Sequence, residues 1–287
     1  MKLSLFDDYR LGVWGAGETI VDVTHLIDAS VRPRDRMNAL IEEWDALFPS
    51  LARAAENNSA LSIRSPVFRA PQPRPTKIVA AAGNHAVHLQ EMQAGGATEA
   101  PVTIETYVGF LKAPSSIIGP DGVIELPYSD RRIDFEGELG VVIGRRARGV
   151  SRADALAYVF GYVPLLDITL RGPEDRPYRK SFDTFTPIGP AIVTADEIPN
   201  PCVLDLVLTV NGEVRQRGNT GHFIYDIPRL IEVYSEAMTL EPGDIIASGT
   251  PDGVGRLLPS DVVNLAITGI PALTMQVRSR ERDLSPT

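Results

Sequence analysis

The chain has 287 residues, 44% hydrophobic and 23% charged, which is enough for one large folded domain and a small accessory one. Its formal net charge of −9 argues against a broad basic surface for nucleic acid or an anionic membrane. A single cysteine excludes an intrachain disulfide and a zinc cluster of thiolates. Asp7 and Asp8 interrupt the N-terminus before the apolar region of a signal peptide could form, and no run approaches the ~20 apolar residues that span a bilayer. The sequence therefore predicts a soluble, cytoplasmic protein.

The first 70 residues predict a small N-terminal α/β domain. Short strands alternate up to about residue 27, and an amphipathic helix follows, with Asp35 as its candidate N-cap. The apolar residues at helical spacing are Met37, Leu40, Ile41, Trp44, Leu47, Phe48 and Leu51. A proline-rich passage at about 64–77 predicts a semi-rigid linker, so the chain is divided into residues 1–70 and 71–287.

Beyond the linker the pattern changes to many short strands with few helices. Helices are expected at 151–160, where Ser151 heads an alanine-rich segment, and at about 226–238. Asn211-Gly212 between alternating apolar residues predicts a hairpin, and a last hairpin turns near 269–271. Because helices do not alternate regularly with strands, the predicted class is α+β rather than a barrel of eight βα units or a doubly wound sheet.

Two acids two residues apart mark the strand-like stretch IDFEGELGVVIG at 133–144. Residues two apart point to the same side of a strand, so Glu136 and Glu138 repel each other unless a cation or a shared proton relieves them. An isolated pair of this kind usually lies on a solvated edge strand, but the apolar GVVIG that follows favours a central strand. Asp167 ends the apolar run GYVPLL, and three carboxylates without thiolates suit Mg²⁺ or Mn²⁺.

A second group of chemically active residues follows the strand KIVAAAG. His88 and Glu91 are three residues apart, so on one helical turn the carboxylate could fix the imidazole as a general base for water. A surface pair is the ordinary interpretation of this spacing when it stands alone. His85 leaves a zinc site open as a further alternative, although acids elsewhere outnumber nitrogen ligands.

Three further residues are candidates for contacts with a substrate. Lys180 adjoins a proline-bounded turn and could neutralise negative charge on an enolate, or could be solvated together with Arg179. Arg171, four residues after Asp167, is a candidate for binding a substrate carboxylate through its guanidinium group. Thr250 in the loop SGTPDGVG could hold a substrate carboxylate with nearby backbone N–H groups. The loop is not a phosphate loop, because no GK[ST] follows it.

Taken in this order, the blocks resemble the fumarylacetoacetate hydrolase family over about 78–275. The matching blocks are HxxE, ExELGVVIG, LLDIT, KSFDTFTPIGP, VNGEVRQ and LEPGDIIASGTPDGVG. The resemblance implies a mixed β-roll catalytic domain, generally assembled as a homodimer, that acts on a small 2-oxo acid. It implies that Mg²⁺ or Mn²⁺ is bound by Glu136, Glu138 and Asp167. It also implies that His88 and Glu91 form a dyad that activates water, and that Lys180 supports the substrate's enolate or oxo group.

The segment after the metal aspartate departs from the family pattern ARDxQ. It reads TLRGPED, with Gly172 and Glu174 in place of aspartate and glutamine, so the resemblance does not define the substrate. The stretch IVAAAG offers no carboxylate of the kind that larger fumarylacetoacetases add upstream of the dyad. The expected activity is hydrolysis of a C–C bond in a 2,4-dioxo acid of the acylpyruvate or fumarylpyruvate type, in aromatic-compound catabolism. The alternative is an oxaloacetate decarboxylase or a 2-hydroxymuconate-type isomerase/decarboxylase that uses the same metal-held enolate.

Overall fold

A ten-stranded sheet is the largest element of the computed structural model, which describes residues 1–16, 18–56, 61–85 and 103–280. Its strands are, in spatial order, β4 (Leu61–Ser62), β3 (Thr19–Asp22), β2 (Arg10–Gly15), β1 (Lys2–Phe6), β14 (Ile192–Thr194), β11 (Val159–Leu166), β10 (Gly137–Ile143), β17 (Ile245–Ala247), β5 (Ile78–Ala81) and β6 (Gly109–Lys112). Neighbours pair antiparallel apart from β17 and β5, which are parallel.

Three smaller sheets and five α-helices complete the described part of the chain. The five-stranded sheet contains, in order, β16 (Glu213–Asn219), β15 (Asp205–Val210), β19 (Val262–Ile267), β20 (Ile270–Ser279) and β8 (Val123–Leu126). The others contain β12 (Thr169–Leu170), β9 (Ile133–Phe135) and β18 (Gly255–Arg256), and β13 (Thr186–Pro187) with β7 (Ile117–Ile118). The helices are α1 (Arg36–Glu42), α2 (Trp44–Ala55), α3 (Ile104–Tyr107), α4 (Arg176–Lys180) and α5 (Ile227–Ala237). This sheet-dominated mixture confirms the predicted α+β class.

Apolar residues cover both faces of the large sheet at its centre, around β10 and β11. Val141 packs into the cluster that includes the five-stranded sheet and α5. Val142, on the opposite face, packs into the cluster that includes α1 and α2. A strand buried on both faces is apolar along its whole length rather than at alternate positions. The run GVVIG was therefore correctly interpreted as part of a central strand.

The N-terminal residues extend the sheet that carries the central strands. Strand β1 pairs antiparallel with both β2 and β14, so the first strands and those beyond residue 71 share one sheet. The proline-rich passage packs against this body, since the Arg69 N–H donates to the Leu5 carbonyl and the Gln72 side chain donates to the Gly243 carbonyl. The division at residue 70 stays a prediction.

The helix expected at 151–160 was a wrong prediction. Ser151 donates its hydroxyl hydrogen to Asp154 in a turn, and only a short 3₁₀ helix, Ala155–Tyr158, follows. Strand β11 then begins at Val159, because the residues from Val159 onward pair with β10 and bury their apolar side chains. The helical propensity of alanine is a weak preference that this pairing overrides.

The other local predictions are borne out in their main features. Helix α5 occupies 227–237, and the β15–β16 hairpin turns at Asn211 (φ 53°) and Gly212 (φ 83°), as Asn-Gly turns require. The N-terminal amphipathic segment forms two helices that meet at Glu43 instead of one. Asp35 precedes α1 without capping it, because its carboxylate pairs with Arg32 and Arg74. Within the described ranges, no helix is long and apolar enough to cross a membrane.

Candidate metal centre and active site

Three carboxylates converge where the central strands end. Glu138 lies in β10, Glu136 lies between β9 and β10, and Asp167 directly follows β11. The antiparallel register places Gly137 opposite Leu166, and the Asp167 N–H donates to the Glu136 carbonyl at 2.8 Å. One oxygen of each carboxylate lies within 4.8 Å of the others, and the three residues are only 5%, 2% and 1% exposed. The grouping predicted from the spacing of two is therefore present, and we call these three residues the acidic triad.

Two buried lysines contact the acidic triad. Lys180, at the end of α4, places Nζ 2.5 Å from Glu136 Oε2 and 2.5 Å from Asp167 Oδ2. Lys112, at the end of β6, donates to Asp167 Oδ1 and, at 3.0 Å, to the Phe185 carbonyl. Lys180 was a sequence candidate, whereas Lys112 was missed. Its only signal was a lysine that ends the apolar strand GFLK, where a charge needs a buried partner.

Arg171 contacts the triad as well. Its Nε donates to Asp134 Oδ2 at 2.7 Å and its Nη2 donates to Glu136 Oε1 at 2.9 Å. The guanidinium group of Arg171 therefore holds Glu136 in place, and it also faces the cavity described below. Four carboxylates, with Asp134 included, lie next to the four cationic groups Lys112, Lys180, Arg171 and Arg132. Formally these charges balance, but Glu138 forms no ion pair within the described residues and accepts the Gly249 N–H instead.

The titration of the buried groups reflects the burial of Glu138 without an ion-pair partner in the described part of the chain. Burial, followed by the neighbouring Asp167 carboxylate, raises the pKa of Glu138 to about 8. Burial lowers the pKa of Lys112 below its ordinary value. For Lys180, burial alone would lower the pKa, but the carboxylates of Asp167 and Glu136 raise it. A buried acid that favours its neutral form lacks a compensating cation in this arrangement. A divalent ion bound by all-carboxylate oxygens fits that deficit.

A buried glutamine fixes the spacing of the two glutamates. Gln216 Oε1 accepts the N–H of Gly137, the residue between them, at 2.9 Å. Its Nε2 donates to Thr250 Oγ1 and to the Pro251 carbonyl, both at 2.8 Å. Gln216 is fully buried, and it lies in the block VNGEVRQ, which the sequence marked without assigning this residue a role.

The glycine loop after β17 also contacts the acidic triad. The N–H of Gly249 donates to Glu138 Oε2 at 2.8 Å, from a backbone with φ 104° that favours glycine. This N–H therefore serves the glutamate rather than a substrate. Thr250, the next residue, faces the cavity.

A cavity of about 270 Å³ opens beside the triad. Five predicted site residues line it: Glu136, Glu138, Arg171, Lys180 and Thr250. Asp167 joins them through the triad. His88 and Glu91 lie outside the described residues. The roles of all eight remain predictions.

The departures from the family pattern have a local structural counterpart. Glu174 accepts a hydrogen bond from Arg131 Nη2 at 2.8 Å and pairs with it. A side chain at Gly172 would place its Cβ 2.2 Å from the same Nη2. Glycine at 172 and glutamate at 174 are therefore mutually consistent with an arginine at 131, and Gly172 itself lines the cavity.

Comparisons with known proteins agree with this fold. Residues 77–278 match the family model for the C-terminal region of fumarylacetoacetate (FAA) hydrolase. The chain belongs to the fumarylacetoacetate hydrolase family. It is 40% identical over 287 residues to a maleylpyruvate hydrolase from Aquipseudomonas alcaligenes, with 97% of this chain and 100% of that protein covered.

Two further relatives show the range of the family. The maleylpyruvate hydrolase from Sphingobium sp. SYK-6, solved in complex with manganese(II) and pyruvate, is 36% identical to this chain. Its structure matches with a TM-score of 0.86 over 98% of this chain and 100% of that one. The bifunctional isomerase/decarboxylase of 4-hydroxyphenylacetate degradation from Escherichia coli is 36% identical over 270 residues, which cover 92% of this chain and 60% of that protein.

Proposed function

We propose that this protein is a metal-dependent hydrolase that cleaves a C–C bond in a 2,4-dioxo acid of the maleylpyruvate or fumarylpyruvate type. The observation that carries the proposal is the buried acidic triad beside a small cavity that is lined by cationic side chains. Two similar proteins are maleylpyruvate hydrolases, and one of them was solved with manganese(II) and pyruvate. Pyruvate is the product that hydrolysis of such an acid releases from the 2-oxo end.

Glu136, Glu138 and Asp167 would hold Mg²⁺ or Mn²⁺. Their oxygens are hard donors that lie close enough to share one ion, and Glu138 has no ion-pair partner among the described residues. When bound, the ion supplies Lewis acidity toward the carboxylate and the 2-oxo group of the substrate.

The residues of the chain divide the remaining work. Arg171 and Thr250 face the cavity and orient the 2-oxo end of the substrate. His88, oriented by Glu91, removes a proton from water, and the hydroxide attacks the C4 carbonyl. The C3–C4 bond breaks and its electron pair stays with C3, which gives the acid of the acyl part and the enolate of pyruvate. Lys180 donates a hydrogen bond to the enolate oxygen, and the proton held by His88 goes to C3.

The alternative is isomerisation or decarboxylation of an unsaturated or 2-oxo dicarboxylic acid. It is favoured by the similarity to the Escherichia coli isomerase/decarboxylase over 92% of this chain. Both reactions pass through an enolate next to a carboxylate, so the acidic triad serves either. They differ in whether water attacks a carbonyl carbon. A panel of fumarylpyruvate, acetylpyruvate and oxaloacetate with Mn²⁺, analysed by product, separates the two functions.

Two substitutions test the hydrolase mechanism. Glu136→Gln should reduce hydrolysis by more than about a hundredfold, because a triad ligand is lost. Glu125→Gln, which removes a charge from an exposed pair with Arg278, is the matched control and should stay within about twofold. His88→Ala should abolish hydrolysis and leave Mn²⁺ binding intact. Hydrolysis of a 2,4-dioxo acid by His88→Ala at the parental rate would contradict the mechanism.

The assembly and location are proposed on the same family basis. We propose a cytoplasmic homodimer that acts on small-molecule substrates and uses neither nucleic acid nor a membrane. Light scattering coupled to size-exclusion chromatography gives the mass of the assembly. A monomer of 31.2 kDa at micromolar concentration would be evidence against the dimer.

A further inference from the structure

Two arginines on the cavity wall have no acidic partner among the residues that the structure describes. Arg176 and Arg179, both on α4, line the same cavity as the acidic triad. Within the ranges that the structure describes, neither forms an ion pair with a carboxylate, whereas Arg171 and Lys180 on the same wall both do. The cavity therefore carries two positive charges that the described part of the chain does not neutralise.

Neutral groups hold the two guanidinium groups in place. Arg179 donates from Nε to the Glu174 carbonyl at 2.5 Å and from Nη1 to the Leu170 carbonyl at 3.3 Å. The guanidinium of Arg176 lies over the ring of Tyr107, 4.6 Å from its centroid. Burial, together with the nearby charge of Arg176, lowers the pKa of Arg179. Arginine still stays protonated, so both positions are fixed and their charge is retained.

Arg176 lies farther from the triad than Lys180 does. Arg176 and Lys180 are four residues apart on α4, so they share a face and lie about 6 Å apart along the helix axis. Lys180 contacts the triad, where the 2-oxo end of the substrate binds. Arg176 consequently lies about one turn farther along the wall. An anionic group that reaches it must be separated from the 2-oxo acid end by several carbon atoms.

We propose that Arg176 and Arg179 bind the distal carboxylate of the substrate, so the site selects dicarboxylic 2,4-dioxo acids over those with a neutral acyl tail. The inference rests on the proposed function, since it names the substrate class of the same site. A guanidinium fork matches both oxygens of a carboxylate, and the neutral neighbours of these side chains leave that charge for a ligand. The pair acts in binding and takes no part in proton transfer.

Selectivity between two substrates is the first test. In the Mn²⁺-loaded full chain, the ratio of kcat/KM for fumarylpyruvate to that for acetylpyruvate is measured for Arg176→Gln and Arg179→Gln. Loss of a charge-assisted hydrogen bond should lower this ratio about ten- to hundredfold, mainly through KM for fumarylpyruvate. Arg217→Gln, an exposed arginine on β16 outside the cavity, is the matched control and should leave the ratio unchanged. A ratio within twofold of the parent in both variants overturns the proposal.

Binding without turnover is the second test, and it separates this inference from the proposed function. Calorimetry compares 2-oxopimelate with pyruvate. The two share the 2-oxo acid end, and 2-oxopimelate carries a second carboxylate at C7, as fumarylpyruvate does. The parent should bind 2-oxopimelate at least tenfold more tightly, and Arg176→Gln should remove most of that preference. If the parent hydrolyses no dioxo acid but keeps this preference, the proposed function fails and the carboxylate site stands. Equal affinity for the two acids in the parent overturns the carboxylate site, whatever the activity.

Arg179→Gln also loses two hydrogen bonds to backbone carbonyls, so its effect could come from a shift of α4. Within the described residues, Arg176→Gln loses only the contact with the Tyr107 ring, so it distinguishes the two causes. Arg176→Lys keeps the charge without the planar guanidinium group and should recover part of the preference for 2-oxopimelate. A structural role alone predicts equal affinity changes for both acids in Arg176→Gln.

Discussion

Replacing Lys112 by methionine should destabilise the metal-free protein by about 4 kcal/mol. The Lys112 side chain is 0% exposed and that of Asp167 is 2% exposed, so the change removes one partner of a buried ion pair. Such removals cost about 3–5 kcal/mol because the other charge stays buried. The lower end applies here, since Asp167 retains Lys180 at 2.5 Å. The Phe185 carbonyl also loses its donor, which adds about 1 kcal/mol.

Urea denaturation of the parent and of Lys112→Met, with and without saturating Mn²⁺, measures the effect. The stability gap should shrink with Mn²⁺, because loss of a neighbouring positive charge strengthens the binding of the ion. Arg64→Met is the control, because its partner Glu18 is 65% exposed and the pair is worth about 0–1 kcal/mol. A gap below 1 kcal/mol for Lys112→Met without metal would refute the assignment of Lys112 as a necessary counter-ion.

Four further outcomes are expected. Chelation by EDTA should abolish activity and lower the melting temperature, and added Mn²⁺ should restore both, as activity assays and calorimetry show. Glu138→Gln should remove the Mn²⁺-induced rise in melting temperature, because a ligand oxygen is lost. Gln216→Leu should weaken Mn²⁺ affinity about tenfold in calorimetric titration, because the Gly137 N–H loses the acceptor that fixes the spacing of the glutamates. Burial would raise the pKa of Asp22, but hydrogen bonds from Thr24 outweigh it and lower the pKa. The stability that Asp22 contributes is therefore present above its unfolded pKa of 3.8 and is lost as the pH falls through its lower folded pKa. In acid denaturation, the difference in unfolding free energy between the parent and Asp22→Asn should therefore narrow as the pH falls below 3.8.

The acidic triad could be predicted because its signal is local. The spacing of two puts Glu136 and Glu138 on one side of a strand, and apolar neighbours show that the strand is central. Asp167 follows from its place at the end of another apolar run. The hairpin at 211–212 was equally local, since Asn-Gly suits both positive φ values.

The counter-ions could not be predicted in the same way. Lys112 meets Asp167 only because β6 reaches the triad from the far edge of the sheet, 55 residues away in sequence. Gln216 meets Gly137 across two sheets for the same reason. No periodicity in one segment encodes such pairs. The failed helix at 151–160 shows the converse case, in which a local preference loses to strand pairing.

The way β1 borders β14 has a consequence for any shortened version of this protein. A chain reduced to residues 71–287 would leave the outer edge of β14 without a hydrogen-bonding neighbour. It would also uncover the apolar side of the sheet on which Val142 and Phe160 pack under α1 and α2. We expect such a fragment to self-associate even though all three triad carboxylates are retained in it. The N-terminal 70 residues would then be needed for solubility without supplying a single ligand oxygen.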